Sequence, residues 1–174
     1  AGLHWEANRP RSFISSGGLG TMGFGLPASL GAAFATGKPV VCLAGDGSLL
    51  MNLQELESCS RYNLPVKIIV FNNGSLGMVR QWQELFYDER YVQTMEAPRC
   101  DFVALAEAFS MKGYRIAGPE GMESTLREAL ESPGPALVDC VIPWRDKVFP
   151  MVPAGAALGD FIWPEVEENG NNRH

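Results

Sequence analysis

Apolar residues fall along this chain in two alternating patterns. "PVVCLAG" (39–45), "PVKIIVFNN" (65–73) and "PALVDCVIP" (135–143) are short, continuous, β-branched-rich runs, the signature of strands buried on both faces. "YRIA" (114–117) fits a shorter strand. Between them the apolar spacing becomes helical. "LPASLGAAFATG" (26–37) is rich in small residues, tolerates Pro27 near its start and ends on Gly37. "MNLQELESCSRYN" (51–63) repeats Leu53, Leu56 and Cys59 or Ser60, with Asn52 and Glu55 spaced as an N-terminal cap. "LGMVRQWQELFY" (76–87) carries an apolar, aromatic face. "DFVALAEAFSMKG" (101–113) has Asp101 as cap and Gly113 as stop, and "GMESTLREALESPG" (121–134) is a further helix. The sequence after Pro143, with its many prolines, reads as loop with room for a short helix, then a frayed tail over about 150–174.

Strands alternating with helices predict an α/β domain with a parallel sheet covered by helices on both faces. Ligands of such sheets sit outside the carboxyl ends of the strands. The 174 residues suffice for one domain with a sizeable core.

Composition narrows the function. The formal charge is −6 and no long Lys/Arg cluster occurs, which argues against nucleic-acid or anionic-membrane partners. No stretch reaches the ~18 apolar residues of a membrane span. Cys42, Cys59, Cys100 and Cys140 form no CxxC pair, so they read as reduced thiols in a reducing compartment rather than as a zinc site. The only histidines are His4 and His174, which leaves little for a histidine-based triad or multi-histidine metal site. The opening "AGLHWEANRPRSF" lacks an initiator Met and reads as the continuation of a longer protein.

Two glycine-rich stretches carry the candidate chemistry. Gly18-Leu19-Gly20-Thr21-Met22-Gly23 matches G-x-G-x-x-G, with Asp46 lying 23 residues beyond. A dinucleotide site needs a clean strand immediately before the glycines, and "RPRSFISS" is a poor one. Close helix packing is a simpler use of the same glycines. The second stretch, Gly45-Asp46-Gly47-Ser48, closes a strand, and Asn72-Asn73 closes the next long one, 26 and 27 residues after Asp46. If those strands are neighbours, hard oxygen donors meet at one sheet edge, a set that favours Mg²⁺ or Ca²⁺. The main-chain N–H groups of Gly47 and Ser48 could receive phosphate oxygens. The pattern thus points to a metal ion bridging to a diphosphate. A helix cap at Asp46 and a turn at Asn72-Asn73 remain the plain structural alternative.

GDG, then Asn72-Asn73, resembles the thiamine diphosphate motif. "SGGLGTMGFGLPASLGAA", "GDGSLLMNLQEL", "LPVKIIVFNN", "LGMVRQWQELFY" and "KVFPMVPAGAALGDFI" together resemble the acetohydroxyacid (acetolactate) synthase family over nearly the whole chain. The resemblance implies that residues 1–174 form the C-terminal diphosphate-binding domain of a catalytic subunit, with pyrimidine-binding and middle domains elsewhere. It implies Mg²⁺ on the side chains of Asp46 and Asn73 and the carbonyl of Ser75. The diphosphate would rest on N–H groups of Gly47, Ser48, Gly77 and Met78, beside Gly45. The Gly20 carbonyl would accept a hydrogen bond from the cofactor's amino group, and Met22 would wedge between its two rings. Met51 would line the same pocket; Val79 and Trp82 would form the mouth over the substrate.

The implied reaction is decarboxylation of pyruvate and condensation of the two-carbon unit with a second 2-keto acid. FAD would bind the full-length parent rather than this part. A homo-oligomer, a regulatory subunit and a cytoplasmic, plastid or mitochondrial location complete the expectation, and this part by itself would be inactive. Other readings stay open: another thiamine diphosphate carboligase or decarboxylase, such as a glyoxylate carboligase or a sulfopyruvate decarboxylase-like half-subunit, or a non-catalytic binding module.

Overall fold

The computed structural model describes residues 4–94 and 100–164. Its elements run α1 (Gly25–Thr36), β1 (Val40–Gly45), α2 (Asp46–Leu50), α3 (Glu55–Arg61), β2 (Val66–Asn72), α4 (Gly77–Phe86), α5 (Phe102–Ala108), β3 (Lys112–Ile116), α6 (Met122–Glu131) and β4 (Ala136–Val141). The strands form one sheet in the order β1-β2-β4-β3, and every pairing is parallel.

Strand alternation sorts side chains onto two faces. On one, Cys42, Ala44, Val66, Ile68, Val70 and Leu137 pack beneath residues of α1, α3 and α5 in a single core. On the other, Ile69, Ile116 and Val138 meet Ala129 of α6. This second face is only partly covered. α6 lies over β3 and β4, while Val41, Leu43 and Phe71 of β1 and β2 remain about half exposed. Helices do flank both faces, as expected, but unequally.

α1 closes as expected: Gly37 is left-handed (φ 64°) and donates its N–H to the Ala33 carbonyl. Asp101 caps α5, accepting from the N–H groups of Val103 and Ala104. Two expected signals act otherwise. Gly113 does not stop α5, which ends at Ala108; Gly113 lies within β3. A Cβ there would stand 2.9 Å from the Val103 carbonyl oxygen, so the glycine permits close packing of strand on helix. Asn52 does not cap the helix over 51–63. The helix starts directly after β1 at Asp46, opens after Leu50 and resumes at Glu55 behind Gln54.

The last strand is followed by an irregular segment with one bridge between Met151 and Ile162; among the described residues after 143 there is no helix. The expected frayed tail falls partly outside the described residues. This segment reverses the burial of α4. Its apolar Met78, Val79 and Trp82 are exposed, whereas Arg80 and Gln81 are fully buried. The reason is what covers them. Gln81 donates to the Val148 carbonyl at 3.0 Å and accepts the Val148 N–H at 2.8 Å. Arg80 bonds Glu84 and the Asp146 carbonyl and lies over the Trp144 ring. A covering strap of irregular backbone needs polar side chains to satisfy it.

Candidate functional site

The site stands at the carboxyl ends of β1 and β2. These strands are parallel neighbours in a register that pairs Gly45 with Phe71, so the loops that follow them meet. Asp46 begins α2 and is 9% exposed. Its carboxylate bridges the two loops, accepting the Gly47 N–H through Oδ1 and the Gly74 N–H through Oδ2, each at 2.8 Å. Burial pushes this carboxyl above its ordinary value, against the pull of those N–H groups. Among the described residues no ion pair supplies it a cation.

Asn73 lies across from it and accepts the Ser75 N–H through Oδ1 at 3.0 Å. The Ser75 carbonyl accepts the Gly77 N–H at 2.9 Å. The Ser75 hydroxyl and the Asn72 carboxamide oxygen are buried without a hydrogen-bond partner. Among the described residues no group of three or more His, Cys, Asp or Glu side chains is gathered as for a metal. The donors here are instead one carboxylate, one carboxamide and a main-chain carbonyl. Such an all-oxygen set, around a buried charge that lacks a counterion, fits a small hard cation that keeps further ligands from water or phosphate.

The main chain around it can receive anionic oxygens. Ser48 lies in the first turn of α2 and Met78 in the first turn of α4, where N–H groups have no intrahelical partner. The N–H groups of Gly47 and Gly77 are committed to Asp46 and Ser75 and would have to exchange those partners for a ligand. At Gly77 a Cβ would stand 2.6 Å from Asn73 Nδ2; at Gly47 it would press on the tips of Leu76 and Met22.

Met22, on the glycine-rich loop, extends its methyl over Gly47 and is 41% exposed. Gly20, nearby in the chain, is left-handed (φ 62°) with open space around it, and its N–H is tied to the Ser16 carbonyl. Met51 packs against Gly23 and is otherwise exposed. Val79 and Trp82 stand on the exposed face of α4, with the Trp82 ring edge-on to Phe86. The structure therefore brings Gly45, Asp46, Gly47, Ser48, Asn73, Ser75, Gly77 and Met22 to one edge.

Sequence reasoning missed four participants. Asn52 reaches back to the glycine loop, donating to the Gly23 carbonyl. Asp139 of β4 holds Asn72. Arg80 and Gln81 fix α4 to the strap. The available signal was a polar residue inside an apolar strand run, as at Asp139 in "PALVDCVIP".

The family model described as "Thiamine pyrophosphate enzyme, C-terminal TPP binding domain" matches residues 1–140. The chain belongs to this family of thiamine pyrophosphate-binding domains. It is 50% identical over 157 residues to the acetolactate synthase large subunit of Parasynechococcus marenigrum, covering 89% of this chain and 25% of that protein. It is 46% identical over 163 residues to the acetolactate synthase isozyme 2 large subunit of Escherichia coli, covering 93% of this chain and 30% of that protein. Among solved structures it is similar to the thiamine diphosphate-dependent 4-hydroxybenzoylformate decarboxylase of Rhodococcus jostii, with a TM-score of 0.65 and 33% identity over 70% of this chain and 23% of that one. The chain thus spans between a quarter and a third of the length of these two curated relatives. Among the described residues no helix is long and apolar enough to cross a membrane.

Proposed function

We propose that this chain is the metal- and diphosphate-holding domain of an acetolactate synthase catalytic subunit. The observation that carries the reading is the juxtaposition of Asp46 and Asn73 at the ends of two adjacent parallel strands. The similarity to two acetolactate synthases supports that enzyme within the class.

Asp46 and Asn73, with the Ser75 carbonyl, would hold Mg²⁺. The N–H groups of Gly47, Ser48, Gly77 and Met78 would hold the diphosphate, with Gly45 beside them in open space. The Gly20 carbonyl would orient the cofactor's amino group by accepting a hydrogen bond from it. Met22 would support the rings and Met51 would close one side of the pocket. Thiamine diphosphate, when bound, supplies an electron sink for loss of carbon dioxide from a 2-keto acid and a carbon nucleophile for a second one. Met78, Val79 and Trp82 present an apolar wall that would exclude water and shape the entry for pyruvate and the second 2-keto acid.

The exposed apolar edge implies a complementary surface. We assign it to the pyrimidine-binding part of the same or a partner subunit in a homo-oligomer, with FAD held away from this domain. A regulatory subunit is consistent with the class. The four free cysteines suit a reducing compartment. The buried Asp46 without a counterion supports a working metal site over a module that keeps only the fold. The decarboxylase likeness supports the wider class without selecting that reaction.

The test is a chimera in which this chain replaces the matched segment of the E. coli relative. Acetolactate formation from pyruvate, abolished by Asp46→Ala, is expected. A folded chimera that binds thiamine diphosphate yet releases only the decarboxylated aldehyde would favour the decarboxylase reading instead.

A further inference from the structure

We propose that Asn52, together with the Ser48 hydroxyl, is a positioning residue that locks Gly23 and thereby presents Met22 over the diphosphate cradle. What Met22 supports rests on the function proposed above; the lock is a property of the fold itself.

Gly23 is held at both ends. Its N–H donates to Ser48 Oγ at 3.0 Å, and its carbonyl accepts from Asn52 Nδ2 at 3.0 Å. The two side chains come from α2 and the turn after it, 25 and 29 residues along the chain. The approach is close enough to demand glycine. Gly23 has φ +86°, and a Cβ would stand 2.7 Å from Asn52 Nδ2 and 2.8 Å from Met51 Cβ. On the other flank of Met22, Thr21 donates its N–H to Ser16 Oγ at 2.9 Å. The backbone is therefore fixed immediately before and after Met22.

This matters because the Met22 side chain has little else to hold it. It is 41% exposed, and a thioether chain has several rotatable bonds. Its methyl nevertheless lies 3.3 Å from where a Gly47 Cβ would stand. A flexible side chain can be delivered to a fixed place only if its backbone is anchored to the same body as its target. Here the anchor is α2, which also carries Gly47 and the Ser48 N–H. One short helix and the turn after it thus set both the cradle and the C-terminal flank of the residue above it. Asn52 stands ahead of Gln54, the residue that precedes α3, and its carboxamide oxygen, the atom a cap would use, makes only a long contact to Gln54 at 3.5 Å.

The experiment uses the 174-residue chain with ¹³C-methyl methionine, the Met22 signal being assigned with Met22→Leu. Asn52→Asp keeps the shape but turns an acceptor toward the Gly23 carbonyl. Ser48→Ala removes the hydroxyl and leaves the main-chain N–H groups intact. Gln54→Ala is the neighbouring control. In both lock variants, without cofactor, Gly23 amide exchange is expected to quicken by on the order of tenfold. The Met22 methyl signal is expected to move toward that of free methionine. Gln54→Ala should change neither. A purely structural loss would lower stability without moving the Met22 methyl. If folded lock variants keep both the Gly23 exchange rate and the Met22 signal, the proposal is overturned. Should Asn52→Asp fail to fold, Ser48→Ala decides by the same two readouts. A wild-type chain that shows the lock but no thiamine diphosphate-induced shift of Met22 would refute the functional reading and leave the lock in place.

Discussion

Asp139, buried on β4, accepts the Asn72 Nδ2–H at 3.0 Å through one oxygen and the Arg115 Nε–H at 3.1 Å through the other. Arg115 continues to Asp101 at the start of α5. A line of polar contacts therefore runs from the half-exposed Asp101 and Arg115 to the buried Asp139 and Asn72, and ends beside the proposed metal ligand Asn73. Asn72 already has one buried oxygen without a partner. Asp139→Leu would leave its amide unpartnered as well, at an expected cost of about 2–3 kcal/mol. Urea unfolding of the two proteins measures this. A loss within about 0.5 kcal/mol, the scatter of ordinary surface changes, would show that the contact contributes nothing net.

Gly77 tests the geometry of the metal loop without altering a ligand. An added Cβ would meet Asn73 Nδ2 at 2.6 Å, so in Gly77→Ala the carboxamide has to turn. The expected result is weaker Mg²⁺-dependent binding of thiamine diphosphate, by on the order of 10- to 100-fold. Thermal stability of the metal-free protein should change little. Titration calorimetry with unchanged affinity would place Asn73 outside the metal shell.

Asp101 gives the pH response a sign. Its carboxyl is held below the ordinary value, first by the Ala104 N–H and then by the Arg115 guanidinium. A depressed carboxyl stabilises the fold above its unfolded pKa and loses that contribution as pH falls through the folded value. Asp101→Asn keeps the cap but removes the charge opposite Arg115. Unfolding curves should thus separate wild type from variant at neutral pH and converge below about pH 4. Curves that stay equally separated in acid would contradict the assignment.

Gln81 and Arg80 should hold the strap over residues 146–151. Truncating Gln81 to Ala frees both the main-chain N–H and the carbonyl of Val148, and the expected signature is faster hydrogen exchange confined to that segment and α4. Arg80→Met removes the bonds to Glu84 and to the Asp146 carbonyl while Glu84 keeps Lys147, so the expected cost is that of lost charged hydrogen bonds, about 1.5–3 kcal/mol, read by urea unfolding.

Much of this fold could be read along the chain because its signals are local. Val40–Gly45 and Val66–Asn72 announce themselves as apolar runs, and Gly37 and Asp101 end or begin helices by their own chemistry. Asp46 and Asn73 were legible as a pair because parallel neighbours place their strand ends together. Other features depend on partners remote in sequence. Asn52 has the residue type and spacing of a cap, but the helix begins later, behind Gln54, and the bond of Asn52 to Gly23 joins residues far apart in the chain. Gly113 looks like a helix stop because nothing nearby in sequence shows that Val103 crowds it. The apolar side of α4 suggested a packed face, yet the strap covers the polar side, and no periodicity within the helix could show that.

The most direct measurement of the central claim is an amide NMR titration of this chain with thiamine diphosphate, with Mg²⁺ and again with excess chelator. Such a titration detects binding up to the millimolar range. The account expects shifts at Gly47, Ser48, Gly74, Gly77 and Met78 with Mg²⁺, their loss on chelation and their absence in Asp46→Ala. Shifts that ignore both Mg²⁺ and Asp46, or no shifts at millimolar cofactor, would contradict it.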